Sequence, residues 1–157
     1  MVPAEVTRAV LAAELAAARA WAKRRCWSLS EDMEALTLTA QTVHHADNQP
    51  LILHASFDGY RALPPLWRFL DPVTGEPARA ACPAPGPVCG QASIFHPEGF
   101  ICARWSRAAY AEGGGPHGNW GAASGWLSVQ DGTQACEVAE MLATVRTHLQ
   151  FSPGRLP

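Results

Sequence analysis

The sequence predicts an α+β fold in which two helices pack on one antiparallel sheet. Residues 4–25 have the apolar period of a helix, residues 34–70 hold three short strand-like segments, and residues 133–149 again have a helical period. Because the strand-like segments follow one another between the two helices, an antiparallel meander covered by helices is expected. The chain of 157 residues fits a single domain, 1–157.

The first helix is predicted over residues 4–25. Pro3 precedes the run, where a proline does not interrupt helical hydrogen bonding. Lys23, Arg24 and Arg25 fall in the last turn and suit the negative end of the helix dipole. These three cations are either a solvated helix end or a docking surface for a partner protein. The apolar positions recur at spacings of three to five, namely Val6, Val10, Leu15, Ala18 and Trp21.

The meander is predicted from alternation and turn residues. Residues 34–43 alternate and are rich in Thr and Leu, which is typical of a half-buried strand. A polar turn at 44–49 leads into a second strand at 51–57, and a third follows at Leu66–Leu70 after two prolines. Residues 93–95 can form a short fourth strand. The expected sheet therefore has three or four strands.

A long loop and a second helix follow the meander. Residues 75–91 hold four prolines and three glycines without periodicity, and a loop of that length is either functional or mobile. The second helix is predicted over 133–149, with Thr133 as its N-cap. Residues 150–157, with two prolines and a glycine, are expected to form a flexible tail.

Composition excludes several classes of protein. Hydrophobic residues make up 48% and charged residues 17%, which indicates a globular chain rather than a disordered one. The net charge of −2 argues against nucleic acid as the main partner. No apolar run approaches the roughly 18 residues that span a membrane, and the first eight residues lack the pattern of a secretory signal. We therefore expect a cytoplasmic protein whose five cysteines stay reduced and which needs no cofactor.

An ordered set of short motifs lies along this framework. The pieces are Tyr-Arg-Ala-Leu-Pro-Pro at 60–65, Trp-Arg-Phe at 67–69, Phe-His-Pro at 95–97 and Gly-Phe-Ile-Cys at 99–102, with tryptophans downstream. Over residues 4–149 this order resembles the ubiquitin-conjugating enzyme (E2, or UBC) family, and its variable spacing points towards divergent prokaryotic E2-like proteins. The resemblance implies a UBC-like fold with an N-terminal helix, a meander of three or four strands, a long active-site loop and a C-terminal crossing helix.

The resemblance also implies a function. Cys102 would accept a ubiquitin-like protein from an E1-like adenylating enzyme as a thioester and pass it to an amine of a target protein. Prokaryotic relatives occur in bacterial operons beside such partners, some of them antiviral. The chain departs from the family pattern at Glu98, where His-Pro-Asn has its asparagine. Because a carboxylate cannot donate the hydrogen bond of that amide, another donor is needed.

The residues around Cys102 support a nucleophile independently. Cys102 follows Gly99 and an apolar pair, and Arg104 and Arg107 are close enough in sequence to favour a thiolate. The alternative is a buried cysteine that only packs in the core. His117 lies in a glycine-rich run and can serve as a general base or as an oxyanion donor. Its alternative is an ordinary exposed loop histidine.

Further residues are expected to support the site. His96 is expected to prop the active-site loop through backbone hydrogen bonds. Tyr110, Asn119 and Trp120 are expected to line the same loop, and the amide of Asn119 can take the place of the asparagine that Glu98 replaces.

Two other functions stay open. A non-catalytic UBC-like module that binds a ubiquitin-like protein is favoured by Glu98. A small zinc-binding interaction domain would use three cysteines and a histidine, although the usual short Cys-x-x-Cys knuckle is missing; the candidates are Cys82, Cys89, His96 and Cys102. Cys26 and Cys136 are expected in the core, and His44 and His45 in a solvated turn.

Overall fold

The computed structural model describes residues 2–112, 117–128 and 134–157. They form an α+β fold with an N-terminal helix, a four-stranded antiparallel sheet and a C-terminal helix, so the predicted fold class is confirmed at this level. The helices are α1 (Ala4–Arg24), α2 (Ala108–Ala111) and α3 (Val138–Leu149). The strands are β1 (Ser28–Asp32), β2 (Thr37–Val43), β3 (Pro50–Ser56) and β4 (Leu66–Leu70). No helix of the described ranges is long and apolar enough to cross a membrane.

The sheet is a plain meander in the order β1-β2-β3-β4. Leu38 pairs with Ala55, and Leu53 pairs with Phe69, so buried side chains face one another along one surface. Alternate residues of β2, β3 and β4 are buried, as expected for a sheet with one face on the core. β1 is the polar edge strand, and its most buried positions are only half-buried.

The two long helices share the core with the sheet. Their buried faces are formed by Leu11, Leu15, Ala18 and Ala22 on α1 and by Val138, Met141, Leu142 and Val145 on α3. Glu14 joins three segments of chain, because its Oε2 accepts hydrogen bonds from the Tyr60 hydroxyl at 2.8 Å and from the Val138 backbone N–H at 3.0 Å. A carboxylate of α1 therefore satisfies a free N–H at the start of α3.

The observed strands differ from the predicted ones at three places. β1 was not predicted, because Ser-Leu-Ser-Glu-Asp has only one apolar residue. The strand expected at 34–43 begins at Thr37, since the Asp32 carboxylate accepts the N–H groups of Glu34 and Ala35 and closes a turn there. Residues 93–95 form no strand, and Phe95 makes only an isolated bridge with Ile101.

The last helix begins later than predicted. Residues 134–137 are not helical, and α3 starts at Val138 with Glu137 as N-cap. Glu137 and Glu140 form a capping box, in which each side chain accepts a backbone N–H of the other residue. The predicted N-cap, Thr133, lies outside the described residues.

The segment 150–157 is packed rather than free, contrary to the expected flexible tail. Ser152 is 1% exposed and Leu156 is 7% exposed. The Arg155 guanidinium binds the turn between β2 and β3 and the loop after β4, through Asp47 and the carbonyls of Gln49, Pro50 and Ala81. This segment therefore fastens the long loop to the sheet.

Several single residues also differ from expectation. His44 is fully buried, whereas His45 is exposed as expected. His44 Nε2 lies 3.3 Å from the Ser152 hydroxyl, so the packed C-terminal segment covers it. Cys26 is exposed and Cys136 is only half-buried, so neither belongs to the core.

Candidate active site

Cys102 directly follows a small hairpin. Phe95 and Ile101 pair in an antiparallel bridge, and the His96 N–H donates to the Phe100 carbonyl at 2.9 Å. Gly99 turns the hairpin with a φ of 92°, a conformation that favours glycine. The Cys102 N–H then donates to the Ile94 carbonyl at 2.7 Å, which fixes the backbone of the cysteine against the core.

The Cys102 side chain lies at the edge of a second apolar cluster. This cluster consists of Phe100, Ala108, Ala109 and Trp120, with Leu66 and Tyr110 packed beside it. Cys102 is half-buried there, packed against this cluster. α2, which supplies Ala108 and Ala109, is not among the predicted elements, although the run Arg-Ala-Ala-Tyr-Ala-Glu is rich in good helix formers.

The His117 side chain lies beside that of Cys102, although the two residues are 15 positions apart in the sequence. The Cys102 Sγ lies 3.3 Å from His117 Nε2, within hydrogen-bonding distance for sulfur. The imidazole is exposed, and its ring centre lies 4.7 Å from that of Trp120. The Trp120 N–H donates to the His117 carbonyl at 2.9 Å, so the two residues belong to one turn. Of the predicted candidates, the structure brings this pair together.

The electrostatic environment of Cys102 differs from the expectation. Burial raises the pKa of the Cys102 thiol. Arg104 and Arg107 do not act as a cationic pair beside the sulfur. The Arg104 guanidinium donates to backbone carbonyls at 119 and 120, and that of Arg107 donates to Asp58 and to the Pro64 carbonyl. Since the thiol form is favoured, a neighbouring proton acceptor such as His117 matters for reactivity.

The predicted supporting residues act through backbone groups. His96 Nδ1 accepts the Glu98 N–H at 3.2 Å, and the His96 ring stacks on Phe100 at 4.3 Å. These contacts hold the hairpin that precedes Cys102, and a supporting role of His96 in a reaction stays a prediction. The Tyr110 hydroxyl donates to the Arg104 carbonyl at 3.1 Å. Asn119 contributes its backbone carbonyl, and its exposed side chain stays a predicted oxyanion donor.

The cysteines considered for zinc have other surroundings. The Cys82 thiol is buried and donates to the Gly99 carbonyl at 2.9 Å, and burial raises its pKa to about 12. Cys89 is exposed in a tight turn with a φ of 47°. Within the described ranges no group of three or more His, Cys, Asp or Glu residues is arranged to hold a metal ion.

Lys23, Arg24 and Arg25 lie at the carboxyl end of α1 and are exposed. They stand on a different element from the hairpin that precedes Cys102. They stay a predicted partner surface.

The site therefore consists of a half-buried thiol, an adjacent imidazole and an apolar support, which is an arrangement suited to acyl transfer through a cysteine. Comparison of the chain with models of protein families, with curated proteins and with solved structures finds no match.

Proposed function

We propose that the protein is an E2-like conjugating enzyme that carries a ubiquitin-like protein as a thioester on Cys102 and transfers it to an amine of a target. The observation that carries the proposal is the 3.3 Å contact between the Cys102 Sγ and His117 Nε2. The order of elements adds support: a helix, an antiparallel meander, a hairpin that ends in a cysteine, and a last helix. We extend the proposal to a UBC-like architecture and to a bacterial cytoplasmic setting, including antiviral defence.

The first step is a thioester exchange. The S–H proton of Cys102 passes to His117 Nε2, and the sulfur attacks the thioester carbonyl that joins the modifier to its E1-like enzyme. The carbon–sulfur bond to the E1-like enzyme breaks, and its thiolate takes up a proton as it leaves. The modifier is now bound to Cys102. This step needs an accessible sulfur, and Cys102 is only half-buried.

The second step transfers the modifier to an amine, for which a lysine of the target is the natural choice. The amine attacks the thioester carbonyl, an amide bond forms and the bond to Cys102 Sγ breaks. The amine must lose a proton, and the exposed His117 imidazole is positioned to take it. Glu98 cannot stabilise the oxyanion by donating an N–H, so that task falls to another donor, for which the Asn119 amide is our candidate.

The test combines a bacterial E1-like enzyme and its ubiquitin-like protein with ATP and the full chain. We expect an adduct on a non-reducing gel that disappears with reductant. Cys102→Ala should abolish the adduct, and Cys89→Ala, which alters an exposed cysteine elsewhere in the chain, should retain it. An adduct that persists in Cys102→Ala, or a wild-type chain that forms none, would overturn the proposal.

The role of His117 can be read from the discharge of a preformed thioester to free lysine. His117→Ala should slow this step by about 100-fold, the lower end of the range expected on loss of a general base. His45→Ala is a matched control, since His45 is also exposed but belongs to the turn between β2 and β3. Equal discharge by the wild type and His117→Ala would remove His117 from the mechanism.

A non-catalytic UBC-like binding module is the second candidate. Two observations favour it: burial raises the pKa of the Cys102 thiol, and Glu98 occupies the asparagine position. Such a module would bind the ubiquitin-like protein equally well as wild type and as Cys102→Ser, with no adduct in either case. Titration of both forms with the modifier, in parallel with the gel assay, separates the two candidates.

A further inference from the structure

We propose that Arg104 is a positioning residue that holds His117 against Cys102, an inference that rests on Cys102 being the reactive thiol. Arg104 lies two residues after Cys102 and reaches the turn that carries His117. The sequence alone favours a different role, that of a cation beside the sulfur.

The contacts of Arg104 fix the turn at 117–120. Its Nη1 donates to the Trp120 carbonyl at 3.2 Å, and its Nη2 donates to the Asn119 carbonyl at 3.3 Å. The guanidinium carbon also lies 5.3 Å from the centre of the Trp120 ring. The Trp120 N–H in turn binds the His117 carbonyl at 2.9 Å. Two kinds of contact, hydrogen bonds and a cation–π contact, therefore connect the Arg104 side chain to the turn that presents the imidazole.

These contacts close a ring that contains the two reactive groups. The backbone links Cys102 to Arg104, and the Arg104 guanidinium donates to the Trp120 carbonyl. The Trp120 N–H donates to the His117 carbonyl, and His117 Nε2 lies 3.3 Å from the Cys102 sulfur. Tyr110 braces the ring, because its hydroxyl donates to the Arg104 carbonyl and its ring lies 5.7 Å from that of Trp120. Loss of the guanidinium removes the direct hydrogen bonds across this ring.

Arginine suits this position better than other side chains. Arg104 is 2% exposed, so its charge is removed from water and must be compensated by acceptors. A planar guanidinium can bind two neighbouring carbonyls while its face lies on an aromatic ring. Lysine has a single nitrogen and no planar face, and so cannot reproduce the whole set.

The experiment measures alkylation of Cys102 by iodoacetamide in the full chain, which needs no partner protein. Chymotrypsin, which cleaves after aromatic residues, should release residues 101–105, a peptide in which Cys102 is the sole cysteine. The rate is followed by mass spectrometry across the range from about pH 6 to about pH 10, in which thiols ionise. The variants are Arg104→Met, His117→Ala and the double variant, with Arg107→Met as the matched control.

We expect Arg104→Met and His117→Ala each to slow alkylation at neutral pH by about fivefold, the effect of one lost hydrogen bond. Both rates should approach that of the wild type as rising pH ionises the thiol without help. The double variant should stay about fivefold slow rather than reach about 25-fold, because both changes remove the same interaction. Arg107→Met, whose guanidinium binds Asp58 instead, should keep the wild-type profile.

Other results would overturn the inference. They are a wild-type profile for Arg104→Met, multiplicative effects in the double variant, or full rescue by Arg104→Lys, which would assign the effect to charge alone. Partial rescue by Arg104→Lys supports positioning. If thermal unfolding shows that Arg104→Met does not fold, Arg104→Gln, which keeps one amide donor, replaces it in the same cycle. A failed thioester assay beside the expected alkylation cycle would reject conjugation and retain the positioning role.

Discussion

The buried carboxylate of Glu14 gives the sharpest prediction for stability. Glu14 is 8% exposed, and its Oε2 accepts hydrogen bonds from the Tyr60 hydroxyl and the Val138 N–H. Its Oε1 accepts a bond from Arg61 at 3.2 Å. Glu14→Ala removes the acceptor for both buried donors at once. The Tyr60 hydroxyl would keep only a long contact of 3.5 Å to the Cys136 carbonyl.

The magnitude follows from these contacts. Each orphaned buried donor costs about 1–2 kcal/mol, so Glu14→Ala should lower the free energy of unfolding by about 2–4 kcal/mol. Glu14→Gln keeps one oxygen acceptor but places an amide against Arg61. The Arg61 side chain is 34% exposed, so losing that ion pair should cost only about 0.5 kcal/mol. The order of stability should be wild type, Glu14→Gln, Glu14→Ala.

Urea unfolding measures these differences, and Glu34→Ala is the control because Glu34 is exposed. A loss of 3 kcal/mol corresponds to a fall in Tm of about 6–12 °C for a chain of this size. If Glu14→Ala unfolds within about 0.5 kcal/mol of Glu34→Ala, the effect expected of an ordinary surface change, the reasoning is refuted.

The same residue predicts a pH dependence. Burial, opposed by the hydrogen bonds, raises the pKa of Glu14 above its ordinary value of 4.5. The folded chain therefore holds this proton more tightly than the unfolded chain. The stability that the folded chain gains by holding this proton more tightly is lost as pH rises from 4.5 through the raised pKa. The difference in free energy of unfolding between the wild type and Glu14→Gln should become smaller as pH rises through that window. A difference that becomes larger would contradict the assignment.

Three further predictions concern the packed loop, a buried histidine and a buried thiol. A Cβ at Gly86 would overlap the Phe151 carbonyl, so Gly86→Ala should destabilise the fold by about 2 kcal/mol or more, as overpacking does. Gly118→Ala is the control, because a Cβ there would meet no atom within 4 Å, and thermal unfolding compares the two variants. Burial lowers the pKa of His44 below its ordinary value of 6.5, so stability should fall as pH drops below 6.5. His44→Asn should weaken this dependence of the unfolding free energy on pH, as measured by urea unfolding, and an unchanged dependence would contradict the assignment. Only part of the dependence should disappear, because burial also lowers the pKa of His54 and His148. Cys82, 2% exposed with its pKa raised to about 12, should react with Ellman's reagent only as fast as the chain unfolds, and faster labelling would show that the thiol is accessible in the fold.

The fold class could be predicted from the sequence because periodicity reports which face of an element is buried. The alternation in β2 to β4 and the helical stripes of α1 and α3 are local signals, and they identified these five elements. β1 and α2 could not be predicted in this way, because neither has a clear period. An edge strand with one apolar residue and a helix of four residues do not bury enough side chains to leave a periodic pattern.

The candidate site was predictable only in part. A cysteine after a hairpin and a histidine between glycines were recognisable as reactive residue types, but their separation of 3.3 Å depends on a turn 15 residues away. The partners of Arg104 could not be predicted, because its nearness to Cys102 in sequence does not reveal that its guanidinium donates to carbonyls in the turn at 117–120.

What the sequence determined by itself is the two long helices, β2 to β4, the order of these elements and the nature of the candidate nucleophile, since these follow from local period and from the short motifs around Cys102. Tertiary structure decided which groups meet. Glu14 binds an N–H 124 residues away, and Ser152 reaches His44 across 108 residues. Such contacts depend on how the core packs, and a linear pattern carries no record of that packing.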